Sequence, residues 1–370
     1  MELFFRILAG LGGGVLVYAV LRDAFETIVL PRRPSGRRRI TAIFYRSTWT
    51  PIRALALRTK NPGRRDLALN YFGPLWIVSL IGLWAVLLIA AFSFVYWGLG
   101  TDINAPGGGD PGFWMDVYMS GTTFFTLGMG DVSPAGPATR FAAVLQAGMG
   151  LGFLALVIGY VPVLYGAFSR REVTVSLLDA RAGSPPTAAA LLGRTLDANT
   201  AAPLHETLAE FERWASDLLE AQLSYPVLAY YRSQHDRQSW VGAITAVLDT
   251  CAVLLAARAV PFERQARLTF AMARHAAIDF VQLVGKEPRE PGTPRMGPED
   301  AAHLVGVLAK GGLTLDDPAR FERRLAVYRR SYEGIVNALG EHLLMPIPPF
   351  VPAVGALDDW EEEFAGMTGG

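Results

Sequence analysis

The chain has 370 residues, of which about half (51%) are apolar, and its 34 acidic side chains balance its 34 basic ones. This length allows two or three domains, and the apolar content excludes an intrinsically disordered chain. Zero net charge gives no support to nucleic-acid binding. The single cysteine, Cys251, excludes an intrachain disulfide and, within an apolar stretch, is expected to be a buried and inert thiol.

The apolar residues are arranged differently in the two halves of the chain. Before about residue 170 they form long uncharged runs, and after it they alternate with charged residues at helical spacing. This pattern predicts a membrane half and a soluble half that meet at Ser169-Arg170-Arg171. Charge is also uneven, because residues 32–65 are rich in arginine without any acid, whereas residues 358–363 are acidic.

The first predicted element is an N-terminal transmembrane helix within residues 1–30, whose apolar part is rich in glycine. A cleaved signal peptide is the alternative, since residues 1–20 have a suitable length. A retained helix is preferred because no small-x-small cleavage site precedes a hydrophilic start, and the apolar pattern continues to Leu30. The glycines at 10–14 are typical of close helix packing rather than a nucleotide loop, because no strand precedes them.

Residues 31–73 are predicted to be a basic cytoplasmic linker that contains a helix over 40–71. Its mixture of aromatic and arginine side chains suits an interfacial helix lying along the inner membrane surface, beside anionic lipid. A linker helix packed on the soluble domain is the alternative, and the sequence favours neither.

Two further uncharged runs predict an outer transmembrane helix at 74–99 and an inner one at 139–168, within a pore domain at 74–171. At about 1.5 Å per residue, each exceeds the roughly 30 Å hydrocarbon core. Basic residues near the ends of spans mark the cytoplasmic side. The loop 101–112, with Asp102 and Asp110, is therefore expected outside, together with the N-terminus. The residues expected on the cytoplasmic side of the plasma (inner) membrane are Arg32, Arg33, Arg37, Arg38, Arg39, Arg170 and Arg171.

The stretch between these two spans is too short to cross the membrane twice as helices. It is predicted to be a pore helix at 113–125 followed by a re-entrant loop at 126–131. Irregular backbone at membrane depth is tolerated only where protein or a water-filled path surrounds it. The loop reads Thr126-Leu127-Gly128-Met129-Gly130-Asp131. Glycine at alternate positions provides the dihedral angles that let successive carbonyls face one axis.

This motif, with its preceding pore-helix threonines Thr122 and Thr123, resembles the selectivity filter of the potassium channel family. The resemblance covers a single pore-loop module with an additional N-terminal span. It implies that ions bind at Thr126, Leu127, Gly128, Met129 and Gly130, through backbone carbonyls and the Thr126 hydroxyl, with Asp131 at the outer mouth. One chain supplies one loop, so a homotetramer is implied, with K⁺ as the permeant ion and no other cofactor.

The loop departs from the usual family pattern at two positions. Leu127 replaces a valine, and Met129 replaces a tyrosine whose hydroxyl braces the filter. The polar brace is therefore expected to be missing, and packing by Phe124 and Phe125 is expected to take its place.

The inner span contains two residues that the resemblance and helix chemistry mark as candidate gating hinges, Gly150 and Pro162. Close packing of small residues is the alternative for any single glycine. Gln146 is the strongly polar residue of this span, and it faces either a wet cavity under the filter or a neighbouring helix. The pore part of the sequence contains no repeated Arg-x-x-Arg array of the kind that forms a voltage sensor.

Residues 172–370 are predicted to form a helical cytoplasmic regulatory or assembly domain, because apolar residues recur every three or four positions. The sequence of this half contains no predicted strand followed by GxGxxG, the pattern that would indicate a nucleotide-binding domain. Residues 241–257 are apolar but short and contain Asp249, so a buried core helix is preferred to a fourth span.

A polar and aromatic cluster in this domain is a candidate site for an unknown ligand, a metal or a titrating proton. A helix–helix interface is the preferred interpretation. The residues are Tyr225, Tyr230, Tyr231, Arg232, His235, Asp236, Arg237 and Trp240, with His275 and Asp279 elsewhere.

These features predict an all-α membrane protein with three transmembrane helices, a re-entrant pore helix and filter loop, and a helical cytoplasmic domain. The predicted function is a tetrameric cation channel that is selective for potassium, with lipid and permeant monovalent cations as its other partners and no nucleic acid. A weakly selective cation channel is one alternative. A non-conducting membrane sensor or scaffold, whose cytoplasmic domain binds a ligand or partner, is the other. The sequence contains no clear pattern of a catalytic nucleophile, a phosphate-binding loop or zinc ligands, so an enzyme is not predicted.

Overall fold

The structure is a computed structural model that describes residues 1–30, 39–104, 112–233 and 238–352. Helices make up nearly all of the regular secondary structure in the described residues, and the predicted all-α class is confirmed. The chain divides into two compact units, Met1–Tyr165 and Gly166–Gly370. Several predicted features lie outside the described residues, namely Arg32, Arg33, Arg37, Arg38, Asp110, His235, Asp236, Arg237 and the acidic segment 358–363.

The first unit contains four helices and the beginning of a fifth. They are α1 (Glu2–Ile28), α2 (Ile40–Arg58), α3 (Pro62–Gly98), α4 (Phe113–Phe124) and α5 (Pro137–Ala182), with β1 (Ile103–Asn104) and β2 (Ser133–Pro134) as a short antiparallel pair. The second unit contains the end of α5 and seven more helices. They are α6 (Ala188–Thr195), α7 (Ala202–Ser224), α8 (Trp240–Ala257), α9 (Glu263–Leu283), α10 (Pro298–Lys310), α11 (Pro318–Arg330) and α12 (Glu333–Leu343), with a 3-10 helix at Pro226–Tyr230.

Four helices in the described residues are long and apolar enough to cross a membrane: α1, α3, α5 and α8. The chain is thus a multi-pass membrane protein by the length and composition of its helices. Helix α8 differs from the other three because every residue from 240 to 256 is buried within the second unit. Its neighbours there are α6, α9, α11 and α12. This burial supports the interpretation of α8 as a core helix.

Two of the spanning helices are longer than their uncharged runs. Helix α3 begins at Pro62 rather than at residue 74, because the side chain of Asn61 caps it by accepting a 3.2 Å hydrogen bond from the Arg64 backbone N–H. Helix α5 continues to Ala182 rather than ending at residue 168. The uncharged run ends at residue 168 because charged residues follow it. Charged residues mark the boundary of the membrane, but they do not end a helix. Gly183, with φ of +80°, follows the last residue of α5.

Helices α1 and α3 are in direct backbone contact through glycine. A Cβ atom on Gly98 would lie 2.6 Å from the Cα atom of Gly10, and one on Gly13 would lie 2.5 Å from the carbonyl oxygen of Ala91. Neither position can accept a larger residue without movement of the helices. The packing role expected for the glycines of α1 therefore holds at Gly10 and Gly13.

The other end of α1 is joined to α2 and α3 by the buried carboxylate of Asp23. Its Oδ2 accepts hydrogen bonds from the indole N–H of Trp84 at 3.0 Å and from the Thr41 hydroxyl at 2.6 Å. Its Oδ1 lies 3.4 Å from Nε of Arg39, and that guanidinium also pairs with Glu26 at 3.2 Å. Arg39, predicted as a cytoplasmic marker, therefore neutralises acidic side chains of α1.

Helix α2 packs on α3 through aromatic rings. The rings of Trp49 and Phe72 are 4.8 Å apart between centroids, and those of Phe44 and Trp76 are 5.8 Å apart. Aromatic pairs at these distances contribute beyond their buried area. The aromatic residues that suggested an interfacial helix thus fasten α2 to the outer helix.

Arg171 is buried in the second unit. Its guanidinium donates 2.8 Å hydrogen bonds to the carbonyl oxygens of Leu228 and Tyr231, and it pairs with Glu172 at 2.8 Å. Buried guanidinium groups require such partners. Arg171 therefore anchors the end of α5 to the 3-10 helix, in addition to its predicted role as a charge that marks the inner boundary.

The core of the second unit contains a buried ion pair. Asp249 of α8 is paired with Arg295 at 2.5 Å, and it accepts a 2.6 Å hydrogen bond from the hydroxyl of Tyr332. Arg295 also donates to the Pro348 carbonyl oxygen at 2.7 Å and lies over the ring of Phe350. The charge that argued against a fourth span is thus satisfied inside the helical domain.

Candidate pore helix and filter

Helix α4 lies directly before the filter loop and is fixed at its beginning by Asp116. This side chain is buried in the first turn, and its Oδ2 accepts a 2.9 Å hydrogen bond from the Thr101 hydroxyl. Thr101 follows the end of α3 with φ of +56°. The start of the pore helix is therefore attached to the loop that follows the outer helix.

The middle of α4 is held by a buried hydrogen-bond network around Gln146. The amide Nε2 of Gln146 donates to the Ser120 hydroxyl at 2.7 Å and to the Ser120 carbonyl at 3.0 Å, while its Oε1 accepts from Tyr96 at 2.7 Å. The Ser120 hydroxyl in turn donates to the Ile89 carbonyl at 2.7 Å. These bonds connect α3, α4 and α5 with fully satisfied polar groups.

These contacts favour the neighbouring-helix alternative for Gln146 over the cavity alternative. Its side chain is fully buried and faces neighbouring helices. The physical reason is that a buried primary amide needs both donor and acceptor partners, and Ser120 and Tyr96 provide them.

The filter loop has alternating backbone geometry. Thr126, Gly128 and Gly130 have φ of +56°, +60° and +79°. Positive values are easily reached by glycine and cost a threonine more. Gly128 and Gly130 thus adopt the dihedral angles that the predicted carbonyl arrangement requires.

The beginning of the loop is bonded to the last turn of α4. The backbone N–H of Leu127 donates to the Thr122 carbonyl at 2.8 Å, and that of Thr126 donates to the Thr123 carbonyl at 3.1 Å. The Thr122 hydroxyl donates to the Met119 carbonyl at 3.0 Å. The structure therefore brings Thr122 and Thr123 next to the loop that is predicted to be the filter.

The outer end of the loop is bonded to α4 by a residue that sequence reasoning missed. The hydroxyl of Tyr118 donates a 2.9 Å hydrogen bond to Oδ2 of Asp131 and lies 3.5 Å from the sulfur of Met129. The hydroxyl of a tyrosine at position 129 is missing, as expected, but Tyr118 of α4 supplies a different polar contact to the outer end of the loop. The sequence signal was a tyrosine on α4 in a chain that lacks one at position 129.

Phe124 provides the expected packing beneath the filter. It is buried, and its ring lies 5.2 Å from that of Phe125 and 5.8 Å from that of Phe153 on α5. Phe125 itself is exposed in the single chain. Apolar packing and the Tyr118 hydrogen bond thus act at opposite ends of the loop.

The segment after the filter is clamped to the segment after α3. Strands β1 and β2 pair Ile103 with Pro134 and Asn104 with Ser133. The Ala135 N–H donates to the Asp102 carbonyl at 3.0 Å. Together with the Tyr118 bond, this clamp fixes both ends of the residues that follow Gly130.

Gly150 lies against the end of the pore helix. A Cβ atom at this position would overlap the carbonyl oxygen of Phe124. This contact supports the close-packing alternative, since only glycine lets the two backbones approach so closely. Pro162 lies within the continuous helix α5. The hinge role of either residue stays a prediction.

The aromatic cluster of the second unit is built into its helix contacts where the structure describes it. The Tyr230 hydroxyl lies 3.4 Å from Nε2 of His342, Arg232 donates to the Leu344 carbonyl at 2.5 Å, and Trp240 donates to the Ala229 carbonyl at 3.2 Å. Within the described ranges, no group of three or more His, Cys, Asp or Glu side chains is arranged to hold a metal ion. These contacts favour the interface interpretation.

Comparison with protein families gives a match that covers the geometry described above. Residues 78–164 match the family model described as "Ion channel". This part of the chain is therefore similar to the domain of that family. The matched residues include most of α3, all of α4, the loop at 126–131 and α5 as far as Leu164, and they lie entirely within the first unit.

A curated relative, "Uncharacterized membrane protein YdjJ" from Bacillus subtilis (strain 168), is 26% identical to this chain over 121 residues. The aligned part covers 32% of this chain and 36% of that protein, so the chain spans about a third of the relative's length. No solved structure matches the chain.

Proposed function

We propose that four copies of this chain assemble around one axis to form a potassium-selective channel, with residues 126–130 as the filter. The observation that carries the proposal is the alternating positive φ of Thr126, Gly128 and Gly130, in a loop that directly follows a buried pore helix. This loop lies within residues 78–164, which match the family model described as "Ion channel".

Exposure of the filter in the single chain supports assembly. Residues 125–131 are all exposed, and the side chains of Leu127 and Met129 are 60% and 70% accessible. A loop at membrane depth must be surrounded by protein or line a water-filled path. Neighbouring copies would supply this protein surface. Helix α5 offers further exposed apolar side chains for lipid or neighbouring copies: Phe141, Val144, Leu151, Leu154 and Ile158.

The proposed conduction mechanism uses backbone carbonyls in place of water. Carbonyls of residues 126–129 from four copies would replace the hydration shell of K⁺, and the ions would move between adjacent sites. The Asp131 carboxylates at the outer mouth would raise the local cation concentration. The distribution of basic residues supports an orientation with this mouth outside the cell and the second unit in the cytoplasm.

The bonds to α4 bear on potassium selectivity. Discrimination requires that the coordinating carbonyls keep their number and field when the ion changes. Leu127 is bonded to Thr122 at the inner end, and Asp131 is bonded to Tyr118 at the outer end. We propose that these two attachments replace the support that a filter tyrosine gives in the related channels.

Purified protein in liposomes tests conduction. The wild type is expected to pass K⁺ in a flux assay, and Gly128→Ala is expected to abolish the flux, because alanine at φ of +60° costs about 1–2 kcal/mol in each copy. Gly14→Ala is the matched control, since Gly14 is helical and a Cβ there meets nothing within 4 Å. Wild-type vesicles without cation flux under any condition would contradict the proposal and favour a membrane sensor.

Ion preference is tested separately by reversal potentials in mixed Na⁺ and K⁺. A potassium-selective channel follows the K⁺ gradient, whereas a weakly selective channel reverses near zero. A reversal potential near zero would contradict the proposed potassium selectivity, but it would not contradict the proposed conduction of cations.

A further inference from the structure

The carboxylate of Asp116, in the first turn of α4, has a hydrogen-bond partner at only one of its two oxygens. The side chain is fully buried, and Oδ2 accepts the 2.9 Å hydrogen bond from the Thr101 hydroxyl. No donor in the described part of the chain bonds to Oδ1. A buried, ionised oxygen without a donor is costly, because it has lost its water without gaining a partner. A nearby positive charge or a proton is therefore needed to offset this cost.

The N-terminal helix brings a positive charge close to Asp116. An added Cβ atom on Gly98, the last residue of α3, would lie 2.9 Å from the carbonyl oxygen of Arg6, and Thr101 follows three residues later. The guanidinium of Arg6 pairs with Glu2 at 3.0 Å, but its Nε is buried and bonds to no acceptor among the described residues. An unused donor on α1 and an unused acceptor on α4 thus lie beside the same turn.

The surroundings of Asp116 make it a group that exchanges a proton near neutral pH. Among the described residues, the titratable side chains that face it are Arg6 from α1 and Tyr96 from α3. The Tyr96 hydroxyl donates to Gln146 at 2.7 Å and brings no positive charge. Asp116 lies outside the spanning helices, and burial raises its pKa to about 6, while the Thr101 hydrogen bond and the Arg6 charge oppose this shift. The carboxylate is therefore ionised at neutral pH and takes up a proton in mildly acidic solution.

We propose that Asp116 is a proton-binding site at the outer end of the pore helix, and that Arg6 of the N-terminal helix sets its affinity for the proton. In the ionised state, the carboxylate attracts Arg6 and interacts favourably with the N-terminus of α4. Protonation removes both attractions and leaves the hydrogen bond from Thr101. The start of the pore helix is thus attached to α1 in a pH-dependent way. The effect on the pore rests on the proposed channel function, whereas proton binding does not.

Infrared titration of the full chain in liposomes tests proton binding, because a protonated carboxyl group has its own carbonyl band. Difference spectra between the wild type and Asp116→Asn isolate this group. The substitution keeps the size of the side chain and an acceptor for Thr101. The band is expected to appear in the wild type with a midpoint near pH 6 and to be absent from Asp116→Asn.

Substitutions of Arg6 test the control of this affinity. Arg6→Gln removes a charge that opposes protonation, so the midpoint is expected to move to higher pH, corresponding to an increase in proton affinity of about two- to fivefold. Arg6→Lys is expected to restore most of the wild-type value. Arg22→Gln is the matched control, because it removes the same charge from the same helix at a site that pairs with Glu26.

Flux measurements test the effect on the pore. Acidification of the external solution from about pH 7.5 to about pH 5.5 is expected to lower the K⁺ flux of the wild type by about two- to fivefold, because the pore helix loses its ionic attachment. The flux of Asp116→Asn is expected to stay the same. A protein without flux at every pH would contradict the proposed channel function alone, since the infrared titration still reports proton binding.

Three results would overturn the inference. A protonation band that persists in Asp116→Asn would show that another group binds the proton. Equal midpoints in Arg6→Gln and Arg22→Gln would show that Arg6 does not set the affinity. A wild-type flux that does not respond to external pH, in vesicles whose infrared band titrates, would show that the site does not act on the pore.

Discussion

The hydroxyl of Tyr118 donates a 2.9 Å hydrogen bond to the carboxylate of Asp131, thirteen residues later in the chain. This bond joins α4 to the residue that directly follows the proposed filter. The sulfur of Met129 lies 3.5 Å from the Tyr118 hydroxyl oxygen and is a weaker acceptor than the carboxylate. The outer end of the loop at 126–131 is therefore held by a hydrogen bond from α4.

The substitution Tyr118→Phe removes this hydrogen bond and keeps the ring. We expect the K⁺ flux of liposomes to decline faster with time and its preference over Na⁺ to fall, because the carbonyls near Gly130 lose a constraint. Tyr71→Phe is the matched control, since Tyr71 lies on the exposed surface of α3. Unchanged flux kinetics and selectivity in Tyr118→Phe would show that the bond does not support the filter.

The substitution Gln146→Leu removes three hydrogen bonds of the buried network, so that the Tyr96 hydroxyl loses its acceptor on α5 and Ser120 loses its donor. Each buried unsatisfied group costs about 1–3 kcal/mol, so we expect a large fall in thermal stability in detergent. Tyr96→Phe removes a single bond of the network and should cause a smaller fall. A Gln146→Leu protein with wild-type stability and altered conductance would instead indicate a cavity-lining glutamine.

The substitution Gly150→Ala places a methyl group on the carbonyl oxygen of Phe124. We expect it to displace the end of the pore helix, lower thermal stability and reduce flux. Gly148→Ala and Gly152→Ala are matched controls, because a Cβ at either position meets nothing within 4 Å and alanine favours a helix by about 0.5–1 kcal/mol. A Gly150→Ala protein of full stability but altered opening would support the hinge role in place of packing.

The pair of Tyr332 and Asp249 makes the second unit sensitive to alkali. Burial and the nearby Asp249 carboxylate raise the pKa of Tyr332 well above its usual range. The protonated phenol is thus favoured in the folded state, so its contribution is complete below about pH 10 and decreases as the pH rises further. We expect the Tm of the full chain to fall between pH 9 and pH 11 by more than the Tm of Tyr332→Phe.

The same variant loses a buried hydrogen bond to a carboxylate, which contributes about 1.5–3 kcal/mol at neutral pH. Tyr328→Phe, on the neighbouring turn, is the control for general effects of alkali. Equal alkaline destabilisation of the wild type and Tyr332→Phe would contradict the assignment.

Local chemistry made the backbone geometry of the loop glycines and the long apolar helices predictable from the sequence. Gly128 and Gly130 were expected to adopt positive φ because a carbonyl-lined loop requires it, and they do. The glycines of α1 were expected to pack closely, and Gly10 does so against Gly98. In both cases the absence of a Cβ atom in glycine permits the backbone conformation or the close helix contact.

Features that depend on the relative positions of helices were not predictable. The sequence left two environments open for Gln146, because an amide can face either water or polar partners. The brace at Tyr118 depends on which side of α4 faces the outer end of the loop. The partner of Asp249, Arg295, is 46 residues away, and no periodicity links the two. The end of α5 lay beyond its charged boundary because membrane thickness limits only its apolar part.

The contact between Gly10 and Gly98 has a mechanical consequence for the bilayer. Backbones at this distance leave no space for an acyl chain between them, and Asp23 fastens the opposite end of α1 to Trp84 of α3. The two helices therefore pack as one unit, with no lipid between them. A change in bilayer thickness that tilts α3 must tilt α1 by the same angle, so the hydrophobic mismatch of one helix is shared by both.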